Sequence, residues 1–149
     1  MARRAGVGKA TVFRSYPAKD DLISAVASER VRWLAESAVA ALDRDDAWAA
    51  FRELLLEIAE RHASDLTQTA ALARATGSRE LDEARAAARE ALGALMDRCK
   101  AEGSMRADAS PADVHALFIG VGTTMSPQER HDVERWRRWA EIFAAALRA

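Results

Sequence analysis

Residues 2–16 read Ala2-Arg3-Arg4-Ala5-Gly6-Val7-Gly8-Lys9-Ala10-Thr11-Val12-Phe13-Arg14-Ser15-Tyr16, and Pro17-Ala18-Lys19-Asp20-Asp21-Leu22 follows directly. Two short helical pieces flank a glycine-containing turn in this run, the pattern of a helix-turn-helix. Gly6 can enter the left-handed backbone region without the steric cost of a Cβ, so it suits the turn. In the second piece Val12 and Tyr16 stand four apart and share one face, where they can pack inward. Lys9, Thr11, Phe13 and Arg14 are then presented toward a groove. Pro17 ends the piece, and Asp20 and Asp21 fall in the first turn of the next helix, where carboxylates suit the positive end of the dipole.

Charge separates this run from the rest of the chain. The formal net charge is only -1, yet residues 1–19 hold Arg3, Arg4, Lys9, Arg14 and Lys19 and no acid. The remainder is therefore net acidic. A basic end on an acidic body suits a polyanion such as nucleic acid at that end. Without the glycine turn, Tyr16 and Pro17 around them, five basic residues would read as an ordinary solvated surface.

Residues 2–26, from Ala2-Arg3-Arg4 through Tyr16-Pro17-Ala18-Lys19-Asp20-Asp21-Leu22 to Val26, resemble the DNA-binding motif of the TetR family of transcriptional regulators. The resemblance implies an all-α homodimer that binds operator DNA, acts as a repressor and responds to a small-molecule effector. It implies a phosphate contact for Lys19 at the start of a long helix, and backbone or base contacts for Lys9, Thr11, Phe13 and Arg14. Two positions depart from the family: Phe13 stands where Tyr is common and Ser15 where His is common. Relative to the motif the chain opens inside the helix-turn-helix, with Met1 where relatives carry Ile or Val. The expectation is that the family's first helix is missing and that the chain as given binds operator poorly.

Beyond the motif, apolar residues recur at helical spacing and no segment alternates with the period of a half-buried strand, so the fold class is all-α. Phe51, Leu55, Ile58 and His62 share one face; Leu81, Ala84, Ala88, Leu92, Leu95 and Cys99 form a longer stripe. Cap residues set the boundaries: Asp45 or Asp46, Gly77-Ser78, Gly103, Ser110-Pro111-Ala112-Asp113 and Ser126-Pro127-Gln128-Glu129. The spacing predicts eight helices, over 2–5, 9–15, 18–43, 46–62, 65–75, 79–101, 111–124 and 129–148. Two domains follow: a partial helix-turn-helix over 1–30, and a helical ligand-binding and dimerisation domain over 31–149.

Half the residues are hydrophobic and 30% are charged, a balance that fits a globular chain. No apolar run approaches the roughly 20 residues of a membrane span, and no signal peptide is visible, so a cytoplasmic location is expected. Cys99 is the single cysteine, which excludes an internal disulfide and leaves no zinc-finger spacing. No metal or cofactor is expected. His62, His115 and His131 lie far apart and no nucleophile carries a motif, so catalysis is not expected either. An alternative reading is a truncated dimeric module that senses ligand or titrates partners without binding DNA.

Candidate effector-lining residues are Trp33, His62, Met96, Cys99 and Phe118, large or polarisable groups on apolar stripes, with ordinary core packing as the alternative for each. The last two helices suggest the dimer interface. Val133, Trp136, Ala140, Phe143 and Leu147 form a stripe widened by Trp139 and Ile142, and Gly120 and Gly122 allow close approach beside Phe118 and Val121. The candidate interface is Phe118, Val121, Trp136, Trp139, Phe143 and Leu147, against the alternative that these residues only build the chain's own core.

Overall fold

The computed structural model describes residues 19–65, 71, 75 and 77–149. Among these, five α-helices run in chain order: α1 (Lys19–Leu42), α2 (Ala47–Ser64), α3 (Arg79–Ala101), α4 (Pro111–Thr124) and α5 (Val133–Leu147). The fold is all-α; the described residues contain no β-strand, only an isolated bridge between Met105 and Arg148. The helices expected over 2–5 and 9–15, and most of the one expected over 65–75, lie outside the described residues.

Cap chemistry places the boundaries where the sequence suggests. Asp46 accepts from the Ala49 N–H at 2.8 Å and Ser78 from the Leu81 N–H at 3.1 Å, so α2 and α3 each begin on a satisfied N-cap. Asp113 accepts from the Ser110 N–H at 2.7 Å and from its hydroxyl at 2.8 Å, with Pro111 opening α4. Gly103, at φ 73°, turns the chain out of α3.

The expected helix over 129–148 is divided. Ser126 and Glu129 do form a reciprocal box: the Ser126 N–H donates to the Glu129 carboxylate at 2.8 Å, and the Glu129 N–H donates to the Ser126 hydroxyl at 3.3 Å. It starts only a 3-10 turn, Glu129–His131, because Asp132 leaves helical geometry (φ -83°, ψ 102°) and caps α5 through the Arg135 N–H. A second capping residue, Asp132, six positions after Ser126, thus restarts the helix.

α2 occupies the middle of the bundle. Half of its residues are buried, among them Phe51, Leu54, Leu55, Ile58 and Ala59, and it touches α1, α3 and α5. α5 closes one side through Trp136, Ala140, Phe143, Ala144 and Leu147. α1 lies mainly along α3, where Ala27 and Val31 meet Leu81, Ala84 and Ala88; the three alanines let the two helices approach closely. Exposed ion pairs cross the seams, Arg32 with Glu80 and Arg52 with Glu141; at the surface such pairs contribute little.

One arginine fastens the turn between α1 and α2. Arg98 of α3 donates to the carbonyls of Leu42 at 2.7 Å, Arg44 at 2.8 Å and Asp45 at 3.0 Å. Leu42 is the last residue of α1, so the guanidinium satisfies orphan carbonyls and places positive charge at the negative end of the helix. Arg98→Met is expected to lower stability by about 2 kcal/mol in urea unfolding, and Arg98→Lys to recover only part of it, since an ammonium cannot span three carbonyls as a planar fork does.

Candidate functional site

Arginine on a helix normally reaches for water, but Arg30 does not. It lies on the inner side of α1 and is 5% exposed. Its Nη2 lies 3.1 Å from His62 Nδ1 of α2, while Nη1 is buried with no hydrogen-bond partner among the described residues. Burial, and then the like charge of Arg61, pull its pKa down to about 10, outweighing the attraction of Asp65. It remains a cation at neutral pH.

His62 is the other buried polar group at this point, and the same physics keeps it neutral. Burial is the main cause that lowers its pKa to about 4; the Arg30 and His115 charges add to it, and a bond to the Ile58 carbonyl works against it. A guanidinium nitrogen can only donate, so Nδ1 accepts from Arg30 in the tautomer that carries the ring proton on Nε2. In the tautomer protonated at Nδ1 the neutral ring donates instead to the Ile58 carbonyl, 2.8 Å away. The ring packs against Phe118 of α4 (centroids 5.2 Å) and Trp136 of α5 (4.8 Å). Phe118 in turn meets Phe143 edge-on at 5.1 Å. A continuous line of contacts therefore runs from Arg30 on α1 through His62 to the aromatic cluster of α4 and α5.

Beside Arg30 a cavity of about 500 Å³ opens between α1 and α2, lined also by Trp33, Arg61 and Ser64 and by the acids Glu57, Glu60 and Asp65. A second, of about 290 Å³, shares Arg30, Trp33 and Arg61. These three residues form the partition between the two spaces. The Arg61 guanidinium lies 3.8 Å from the Trp33 ring centroid, a close cation–π contact. Glu60 is drawn toward Arg137 of α5, 3.6 Å away.

The structure distributes the sequence candidates unevenly. Trp33 lines the cavity, and His62 stands behind it through Arg30. Met96 and Cys99 are fully buried in the main core, and Phe118 lies in the aromatic cluster. Burial, with the Glu102 charge, pushes the Cys99 thiol up to about 11, so the thiolate that redox chemistry needs is scarce. Of the interface candidates, Phe118, Trp136, Phe143 and Leu147 are buried within the chain itself, while Val121 and Trp139 are partly open. Gly122 faces Trp136, whose ring would lie 3.3 Å from an added Cβ, whereas Gly120 meets nothing. Lys19 is exposed as the first residue of α1; Lys9, Thr11, Phe13 and Arg14 lie outside the described residues. Arg30 was not among the sequence candidates.

Comparison with known proteins adds a family. Residues 43–149 match the TetR C-terminal domain family described as "Transcriptional regulator SbtR-like, C-terminal domain". The chain belongs to the TetR family of transcriptional regulators. A TetR transcriptional regulator from Streptomyces coelicolor is similar to it, with 28% identity and a TM-score of 0.72 over 99% of this chain and 84% of that one. A TetR transcription regulatory protein from Mycobacterium vanbaalenii is similar at 28% identity and a TM-score of 0.65, over 99% of this chain and 80% of that one. No curated protein matches the chain. For this TetR-family chain the cavity on α1 and α2, with the contact line behind it, is the candidate site.

The neutral His62 carries a pH dependence. Its folded pKa lies below the unfolded value of 6.5, so the unfolded chain binds the extra proton between about pH 6.5 and 4 and stability falls as pH drops through that window. The contribution, complete above pH 6.5, is roughly 3 kcal/mol. Urea unfolding at pH 7.0, 5.5 and 4.5 should show it, and His62→Gln should flatten the curve over that range; equal slopes for both proteins would mean that other groups set the acid sensitivity.

Proposed function

We propose that this TetR-family chain is a ligand-responsive DNA-binding regulator, acting as a repressor in a homodimer. The observation that carries the reading is the span of α1: the helix begins at exposed Lys19, directly after the basic residues 1–18, and carries Arg30 and Trp33 into the cavity. Lys19 and Arg30 are eleven residues apart, about 16 Å along one helix. A ligand that moves α1 at the cavity therefore moves Lys19 as well, and the equilibrium between DNA-competent and incompetent geometries shifts by its differential affinity for them.

Dimerisation is supported by what α4 and α5 leave uncovered. α4 is apolar nearly all round, Leu117, Phe118, Ile119 and Val121 included, yet only Val114 and Phe118 are buried. Val133 and Ile142 of α5 are exposed large apolar residues. A second copy related by two-fold symmetry would cover these surfaces and supply the second DNA half-site. Because Phe143 and Trp136 already fill the chain's own core, the discriminating substitution is on the open side. Ile142→Glu is expected to give monomers in light scattering at micromolar concentration with helical content unchanged; a persistent dimer would place the interface elsewhere.

Gel shift on the DNA upstream of its own gene tests recognition, both with the chain itself and with the chain preceded by the residues encoded directly upstream. Binding should weaken linearly in log–log plots against salt, and Lys19→Ala should weaken all sequences alike and flatten that slope by about 1. Thr11 and Arg14 substitutions should change sequence preference instead. Dimers that bind no DNA in either form would favour a sensing module over a regulator.

A further inference from the structure

The Arg30 guanidinium is a cation buried beyond nine-tenths with one nitrogen lacking any partner among the described residues. Leaving a charged donor unpaired in the interior is costly, and proteins retain such groups where something else completes them. Here the residue forms part of the wall of a cavity whose volume, about 500 Å³, falls in the range of small-ligand sites. We propose that this cavity binds a small monocarboxylate whose anionic oxygen pairs with Arg30 at Nη1. The inference rests on the reading of the chain as ligand-responsive and names the chemistry of that ligand.

Three observations favour this class. A carboxylate is the acceptor that a guanidinium fork fits best, and Nη1 is the tine without a partner among the described residues, while Nη2 lies 3.1 Å from His62 Nδ1. Trp33 offers an aromatic face for an apolar body; Arg61, which now covers it, rides on a flexible stem and can swing away, joining the two spaces it separates. The rim limits the ligand's charge: Glu57, Glu60 and Asp65 face the same cavity, and their repulsion grows with each negative charge a ligand carries, so a single carboxylate is preferred over phosphate. Arg61 repels Arg30 more strongly than Asp65 attracts it, so one anion between the two arginines relieves a conflict present without it.

Calorimetric titration of the full chain with benzoate, octanoate and indole-3-acetate, each beside its primary amide and beside inorganic phosphate, tests the proposal. At least one acid is expected to bind with a submillimolar Kd, its amide and phosphate roughly 10-fold or more weaker, and Arg30→Met to remove the preference for acid over amide. Arg30→Met should fold, because replacing a poorly paired buried charge with an apolar group of similar length is often neutral or stabilising. Should it not, Arg30→Lys, which lacks the second tine, must show the same loss of acid preference. Equal binding of acids and amides, phosphate binding as tight as the acids, or no acid binding up to about 10 mM would each overturn the assignment. Gel shifts with and without the best acid separate this from the regulatory reading. An acid that binds through Arg30 but leaves DNA binding unchanged defeats ligand response and spares the site; DNA release by neutral compounds alone does the opposite.

Discussion

A helix with half of its residues buried has to be covered from several sides, and α2 imposes that constraint on the rest of the molecule. Phe51, Leu54, Leu55, Ile58 and Ala59 are all buried, and no single neighbour covers them. Each large side chain is worth about 1.5–3 kcal/mol once out of water, so the covering helices are held by the area they remove from solvent more than by the ion pairs along their edges. α1, α3 and α5 supply that cover. The position of α1, and with it that of Lys19 at its start, is in this sense a consequence of how α2 is wrapped.

Against this apolar background the polar groups of the interior stand out. Arg30 and His62 meet at one contact, Nη2 to Nδ1 at 3.1 Å. The histidine is neutral because it is buried and faces a cation, and that neutrality lets its ring pack between Phe118 and Trp136 as an aromatic side chain. Ser28, fully buried on the same helix with its hydroxyl unpaired, adds a second unsatisfied group. Among the described residues, α1 is thus the helix whose buried polar groups are least well satisfied, although it is long and closely packed. Local dissatisfaction of this kind is common where a protein must respond to something outside itself.

How much of this could be read from the sequence depended on the kind of signal. Periodicity located the buried faces, because Phe51 to His62 and Leu81 to Cys99 repeat at helical steps and burial follows the step. Caps located the ends, because Asp46, Ser78 and Ser110 act over three residues. Asp132 escaped notice: the Ser126–Glu129 box just before it looked sufficient to start one continuous helix. Width of an apolar face could not reveal which molecule covers it, so Trp136 and Phe143 looked like anchors for a partner while they fill the chain's own centre. Arg30 left no local signal, since an arginine within a helix reads as surface and its burial depends on α2 and α3 arriving from elsewhere in the chain.

The alanine seam between α1 and α3 makes the orientation of α1 a matter of mechanical tolerance. The helix is clamped at Leu42 by Arg98, and its lateral position is set where Ala27 and Val31 meet Leu81, Ala84 and Ala88. Ala27 lies about 22 Å from the clamp and Lys19 about 35 Å, so any sideways step at the seam reaches Lys19 enlarged by roughly half. Apart from Val31 and Leu81 the seam carries only alanine methyl groups, so few long side chains interlock across it. Gradual changes of side-chain size at these few positions would act as shims, turning the far end of α1 by small increments without altering a residue that touches anything there.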